Sequence, residues 1–579
     1  MPGRPESLPK NEASTLRIRG GRIFDPTTRR RGETGDVCIR DGRIVESLPA
    51  SAPALDARNL VVMAGAVEVH THVAGPAVAA ARLLCPEDGG RCLPTLPEAG
   101  RRYARLGYTT VMEAAVAPLG ARAAHADLDA VPIVDKGIFV LLGDDAIALE
   151  LVRDARQNDL RQYVAWLIEA TRAWAVKAVN PGGVEAWKRG AHAPPAEEGA
   201  GGSKSPAGPP CVPAELDLDA TTLGPHVTPR RIVTSLAAAA RDLGLPHPLH
   251  LHMNGLGLPG NAALSLATLD ALRDLPAHFT HVQFHAYGGR TMKGFRSRSS
   301  DLAAWFNDHP RATLDVGQVM FGPAVGVSAD GPALYRLHRA TGRKWLNLDI
   351  EGETGCGVVP LAYRESSLVS GVQWAIGLEL LLLVRDPWRV FLTTDHPNGG
   401  PFSSYPVVIR LLMDRKFRED AQTRIHPGVR ERTSLAGLSR EYTLEEIAIL
   451  TRAGPARALG LERKGHLAPG ADADVVLYNP SDDVEAMFST PAVVIKHGVV
   501  VVRDGEIVAE PRGRTLCAIP PDAPAGRQRA AGRSRPRDRD RDAFEKAIRD
   551  RFEATTTVPF EDFFLPGDHP ERAAPGGER

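Results

Sequence analysis

Two histidines separated by one residue, His70 and His72, stand directly behind the apolar run 61–69. Along a β-strand, residues two apart point to the same side, so both imidazoles face one space at the strand's C-terminal end. Paired imidazoles act as metal ligands when further donors converge on them. Such donors follow at the ends of other short apolar runs: Lys177 inside Ala175–Val179, His252 closing Leu249–His252, His281 behind Phe279 and Thr280, and Asp395 behind 391–394. A lysine buried in apolar surroundings has a depressed pKa, and its neutral amine can add carbon dioxide. The resulting carbamate bridges two metals as a carboxylate does. Each residue alone also suits a structural role, a snorkelling lysine or a hydrogen-bonded core histidine. The signal lies in the set.

A fold that brings such strand ends together is a parallel barrel, whose active sites form at the C-terminal ends of its strands. Short apolar runs suited to strands buried on both faces occur at 67–69, 109–112, 138–142, 176–179, 249–251, 279–282, 313–316 and 390–393. Helices intervene: Thr228-Pro229 predicts a helix over 230–243, and Thr443 with Glu446 forms a capping box opening a helix through Leu450. Regular alternation of this kind predicts an α/β fold with a closed eight-stranded barrel. An extra strand candidate lies at 345–349.

The two chain ends read differently, as short strands and tight turns. The pairs Gly20-Gly21 and Asp41-Gly42 interrupt strands near the start, and His497-Gly498 and Asp504-Gly505 do so late. These segments are expected to pair into one small β domain, giving 1–63 and 456–515 to that domain and 64–455 to the barrel. Segment 193–210, rich in Pro, Gly, Ala and Ser, reads as a flexible insertion in the barrel. Residues 516–579 form an extension in which 527–541 is expected to be disordered and the aromatic run 560–564 could dock on a neighbouring subunit.

The chain carries 70 basic and 70 acidic residues among 579, with 43% hydrophobic and 24% charged residues. Zero net charge argues against a nucleic-acid binder. The first 14 residues lack the apolar core of a signal peptide, and the longest apolar run, 380–384, is too short to span a bilayer. Cys38, Cys85, Cys92, Cys211, Cys356 and Cys517 include no C-x-x-C pair and read as reduced thiols of a cytoplasmic protein. No G-x-S-x-G motif supports a serine nucleophile.

The string Val61-Val62-Met63-Ala64-Gly65-Ala66-Val67-Glu68-Val69-His70-Thr71-His72 resembles the signature of the amidohydrolase superfamily, as does Gly470-Ala471-Asp472-Ala473-Asp474-Val475-Val476. Glu68 departs from the Asp usual before that superfamily's H-x-H. The match narrows at Val176-Lys177-Ala178-Val179-Asn180-Pro181-Gly182-Gly183 and Thr280-His281-Val282-Gln283-Phe284-His285, at 373–380, and at 392–402. These strings resemble the family that unites the α subunits of formyltransferase/hydrolase complexes of methylotrophic bacteria with their counterparts in formylmethanofuran dehydrogenases. The resemblance covers nearly the whole chain to about residue 515.

It implies a (β/α)8 TIM-type barrel with a small β-sandwich domain from both chain ends, and two Zn2+ ions per chain. His70 and His72 would hold the more buried ion, an N6-carboxylated Lys177 would bridge, and His252 and His281 would hold the second. Asp395 would bind the first ion and move protons as the catalytic residue. The choice of His252 over His250 rests on the Met253-Asn254 that follows. Asn254, His285, His396 and Asn398 are candidate substrate contacts, while His247 and His250 are further histidines that either touch substrate or pack as hydrogen-bonded core residues.

The substrate so implied is N-formylmethylofuran or its methanofuran analogue, hydrolysed to formate and the free aminomethylfuran in one-carbon metabolism. The partners implied are the other subunits of the complex, including a formyltransferase. Such carriers have acidic polyglutamyl tails, and Arg290, Lys293, Arg296 and Arg298 are candidates to bind them. An ordinary solvated basic loop is the plainer reading of those residues. Rival readings are formamide synthesis in an archaeal dehydrogenase, a dihydropyrimidinase-like cyclic amidase, and a non-catalytic scaffold.

Overall fold

The computed structural model describes residues 15–191, 217–220, 226–348, 356–520 and 546–550. The expected insertion 193–210, the basic run 527–541 and the aromatic run 560–564 lie outside the described residues.

Eight parallel strands follow one another around a barrel: Ala66–Thr71, Tyr108–Val116, Asp135–Leu141, Ala175–Val179, Leu249–His252, Ala277–Phe279, Thr313–Asp315 and Val390–Phe391. Each pairs with the next, and the ring closes through a bridge between Thr71 and His396, where the His72 amide donates to the His396 carbonyl at 2.8 Å. Almost every strand residue is buried, as expected of a parallel sheet enclosed by helices. The sixth and eighth strands end earlier than their apolar runs. Just beyond them the chain turns left-handed, His281 at φ of 37° and Asp395 at φ of 48°.

A second, nine-stranded sheet draws on both chain ends. Its path runs from Glu506–Ile507 through Val499–Arg503, Val493–Lys496, Val475–Tyr478, Val61–Ala64, Thr15–Asp25 and Arg30–Arg40 to Arg43–Val45, with Ala54–Asp56 beside Thr15–Asp25. The apolar run 61–69 therefore serves two sheets. It breaks at Gly65, whose amide donates to Asp474 O at 2.8 Å and where a Cβ would lie 2.2 Å from Thr109 Oγ1.

The expected turns at Asp41-Gly42, His497-Gly498 and Asp504-Gly505 join antiparallel neighbours. Gly20-Gly21 is not a turn, and this corrects the sequence reading. Thr15–Asp25 runs straight through it, with a register shift between Ile18 and Gly21 against Arg30–Arg40. Gly20 takes φ of 74°, and a Cβ on Gly21 would stand 2.3 Å from Val62 Cγ2, so the glycines make a bulge packed against the next strand.

The extra strand near residue 345 is Leu346–Leu348. It belongs to a three-stranded antiparallel sheet with Gly322–Ser328 and Cys356–Tyr363, outside the barrel. That sheet is fixed to the loop behind the eighth strand: Val325 N donates to Pro397 O, and Val327 N to Asn398 Oδ1 at 2.7 Å. The helix after Thr228 spans Pro229–Asp242, with the Thr228 hydroxyl accepting from Arg231 N. The Thr443–Glu446 capping box is formed, but the α-helix stops at Ala448 and continues as one wide π-turn, Ile449–Ala453.

A buried ion network ties the barrel to the nine-stranded sheet. Asp135, opening the third strand, accepts from Lys464 at 2.5 Å, Lys496 at 2.8 Å, Arg514 at 3.0 Å and His497 at 3.2 Å. Burial alone would raise its pKa, but Lys464 and Lys496 hold the carboxylate well below the usual range. Among the described residues, no helix is long and apolar enough to cross a membrane.

Candidate metal centre

All six residues expected to hold metals lie at the C-terminal mouth of the barrel, and none is more than 5% exposed. Asp395 Oδ1 stands 3.0 Å from His70 Nε2 and 3.3 Å from His72 Nε2, and Lys177 Nζ lies 3.4 Å from His70 Nε2. His281 presents a ring nitrogen to the same space as His70 and Asp395, the three donor atoms all within 4.8 Å of one another. The His252 ring meets the His281 ring edge-on at 4.5 Å between centroids. Imidazole, amine and carboxylate converge here from the first, fourth, fifth, sixth and eighth strands.

The backbone at this mouth is strained. Asn180, His281 and Asp395 follow the fourth, sixth and eighth strands with φ of 42°, 37° and 48°. A left-handed non-glycine residue costs roughly 1–3 kcal/mol and persists only where its surroundings hold it. For His281 the clamp is Asp315, whose Oδ1 accepts from the His281 amide at 2.9 Å and from Thr393 Oγ1 at 2.7 Å.

Behind the converging donors stands a layer of carboxylates without a motif of their own. Glu113 Oε1 meets His72 Nδ1 at 3.0 Å, while its Oε2 accepts from Val73 N and Ala74 N at 2.7 and 2.8 Å. Asp330 Oδ2 faces His252 Nε2 at 3.3 Å, and Asp330 Oδ1 accepts from Asn180 Nδ2. Glu68, the departure from the usual Asp, accepts from the His70 amide and from the Tyr405 hydroxyl. Burial pushes its carboxyl up to about 8, so it stays protonated at neutral pH.

Burial also decides the charge of the donors. It lowers the Lys177 amine to about 8 despite Asp395, Asp315 and Glu113 nearby. Burial pushes His70 and His281 well below the usual histidine value and lowers His252, all towards the neutral form that binds metals. For His72 burial acts the same way, but the carboxylates of Asp395 and Glu113 outweigh it and raise the ring to about 8.

The donor set fits a metal. His281 Nδ1 and both ring nitrogens of His285 are buried and have no hydrogen-bond partner among the described residues. Three buried imidazole nitrogens without a partner cost several kcal/mol unless a cation, water or substrate satisfies them.

The expected substrate residues divide. The His285 ring stacks on His281 at 5.5 Å, facing the donors. Asn254 donates to Asn180 Oδ1 and Pro181 O and leaves a buried Oδ1 unpaired. His396 is buried against Phe402, and burial lowers it to about 3. Asn398 is spent on Val327, holding both that residue's amide and carbonyl, and so fixes the outer sheet. Arg290, Lys293, Arg296 and Arg298 are exposed on the segment after the sixth strand, and Arg298 pairs with Asp301. Beside His72 and Glu113 an apolar cavity opens, lined by Pro76, Val116, Leu141, Val327 and Ala329.

A parallel barrel with histidines, a lysine and an aspartate at its C-terminal mouth defines a metal-dependent hydrolase of amide bonds, and the chain belongs to the amidohydrolase family, which its residues 54–509 match. It is 41% identical over 534 residues to the FhcA component of the formyltransferase/hydrolase complex of Methylorubrum extorquens, covering 89% of this chain and 93% of that one. Protein FwdA of Methanocaldococcus jannaschii is 39% identical over 532 residues, 86% of this chain and 90% of its own. Among solved structures, the Methylorubrum extorquens FhcABCD complex with methylofuran superposes with a TM-score of 0.85 at 37% identity, over 97% of this chain and all of the matched one.

Proposed function

We propose that this chain is the hydrolytic subunit of a formyltransferase/hydrolase complex and releases formate from N-formylmethylofuran at a binuclear zinc site. The convergence of His70, His72, Lys177, His281 and Asp395 at one barrel mouth carries the reading. The likeness to a complex solved with methylofuran supports the substrate. His70, His72 and Asp395 would hold one ion, His252 and His281 the other. Lys177, as the N6-carboxylated amine, would bridge them: the neutral amine adds carbon dioxide and releases one proton, becoming a carboxylate.

Bound there, zinc would supply a more acidic water, its pKa lowered from ~15.7 towards 7, and polarisation of the formyl carbonyl. The protein's own groups do the rest. Asp395 accepts the proton from the attacking water and returns it to the departing amine, a general base and then a general acid. His285 and the free Asn254 oxygen face the substrate as hydrogen-bonding groups. The apolar cavity beside His72 takes the carrier next to the scissile bond and keeps water from it. Arg290, Lys293 and Arg296 meet the acidic tail outside the mouth.

The test is formate release from N-formylated methylofuran by the purified complex, wild type against Asp395→Asn, with zinc counted in both. Formate from the wild type and a loss on the order of 10²–10⁴ in the zinc-loaded variant is expected. A zinc-loaded wild type that releases no formate overturns the substrate while leaving the amidohydrolase barrel in place.

A further inference from the structure

Below the donors, the barrel interior is filled with imidazoles where aliphatic side chains usually pack. His250, His247 and His278 are fully buried and in mutual ring contact, at 4.6 Å between His250 and His278 and 5.3 Å between His247 and each of the others. Two of them form a hydrogen-bonded line that ends on a ligand. His247 Nδ1 lies 2.7 Å from the carbonyl of Ala458, His247 Nε2 lies 3.1 Å from His250 Nδ1, and His250 Nε2 lies 2.9 Å from His70 Nδ1.

The line has a direction. A carbonyl only accepts, so His247 Nδ1 carries the proton at the Ala458 end. A neutral His247 then offers only a lone pair at Nε2, which takes the N–H of His250 Nδ1. His250 is left with a lone pair at Nε2, which takes the N–H of His70 Nδ1. Burial, reinforced by His278, lowers His247 to about 3, which keeps that ring neutral. Thr280 Oγ1 also contacts His70 Nδ1, and its lone pairs can accept the same N–H.

We propose that His247 and His250 are positioning residues that lock His70 in its Nδ1–H form, so that the Nε2 lone pair faces Asp395 and Lys177 where an ion would bind. The inference rests on the zinc-site reading above. Ligating histidines usually donate their second N–H straight to a carboxylate or carbonyl. His72 does so to Glu113, whereas His70 reaches its carbonyl through two imidazoles. The two histidines of one H-x-H are thereby made unequal: His72 meets a carboxylate directly at 3.0 Å, whereas His70 is oriented by the imidazole line, with the Asp315 carboxylate 3.7 Å away.

Zinc affinity of the full chain, measured by competition with a chromophoric chelator, tests the relay through His247, which touches no ligand. His247→Phe keeps the ring that stacks on Phe139 but offers His250 no acceptor. It should weaken one zinc ion about 10–100-fold. His247→Gln, with an amide oxygen for His250 and an N–H for Ala458, should stay near the wild type. Equal affinity of the Phe variant and the wild type overturns the relay and leaves the zinc site standing, as does a Gln variant as weak as Phe. A wild type that binds no zinc overturns the zinc site and the relay together. Histidine ¹⁵N spectra of the metal-free wild type read the same point without substitution: His250 protonated at Nδ1 is expected, and protonation at Nε2 overturns the proposal.

Discussion

Glu113 holds His72 with one carboxylate oxygen, at 3.0 Å from Nδ1, and the turn behind it with the other, through the amides of Val73 and Ala74. One side chain from the second strand thus fixes both the orientation of a ligand and the backbone on which the H-x-H sits. Glu113→Gln keeps the shape and removes the charge. Zinc affinity should fall about 10–100-fold, read by chelator competition, with the unfolding midpoint of the metal-free chain little changed. Unchanged affinity would show that the carboxylate serves only the turn.

The basic loop should be felt in KM alone. Replacing Arg290, Lys293 and Arg296 together by Ala removes three exposed cations, each worth under about 1 kcal/mol to an acidic tail. The expected rise in KM for a polyglutamyl-tailed carrier is roughly tenfold at low salt, shrinking as ionic strength rises. A tailless analogue should be hydrolysed as by the wild type, and an equal loss on both substrates would refute tail binding.

Asp135 is the centre of a buried charge network, so removing it alone leaves Lys464 and Lys496 crowded on Asp474, with an excess of buried positive charge. Asp135→Leu should destabilise the chain by roughly 3–5 kcal/mol, seen as a lower urea midpoint. Replacing Asp135 and both lysines together by apolar residues should cost less than the single change. If the single variant were as stable as the wild type, the network would have no part in joining barrel and sheet.

Asp145 caps the helix Ala146–Arg153 from a buried position, accepting from Ala148 N at 2.8 Å and the Tyr163 hydroxyl at 3.1 Å. Burial raises its carboxyl from 3.8 to about 6. A folded pKa above the unfolded one means stability is greatest below about pH 4 and declines as pH rises to about 6, by about 3 kcal/mol from this group. Asparagine caps equally well without the charge. Asp145→Asn should therefore match the wild type near pH 4 and exceed it at pH 7 in urea unfolding; parallel pH curves would contradict this.

The barrel was legible because each of its eight strands carries an apolar run bounded by polar residues, and because the five donor-bearing strand ends fall on those runs. Legibility stopped where geometry replaces periodicity. Strands six and eight end before their apolar runs do, and His281 and Asp395 just beyond them take left-handed conformations that side-chain polarity does not announce. Gly20-Gly21 reads as a turn by composition, yet the close approach of Val62 makes it a bulge. Glu113, Asp315 and Asp330 carry no spacing motif and reach the donors only through the fold. His250 and His247 looked like spare histidines beside His252, because the carbonyl that orders them belongs to a helix some two hundred residues later.

The pairing of Val61–Ala64 with Val475–Tyr478 has a consequence for how the protein is made. A ribosome adding roughly 5–20 residues per second delivers the second of these strands some tens of seconds after the first. Through that interval the early strands have an open edge, and Asp135 lacks the lysines and arginine that will neutralise its surroundings. The barrel cannot be sealed to its companion sheet until Lys464, Lys496 and Arg514 have been made. A nascent chain stalled before residue 464 should consequently be protease-sensitive over residues 15–64, strands made early that settle only when their late partners arrive.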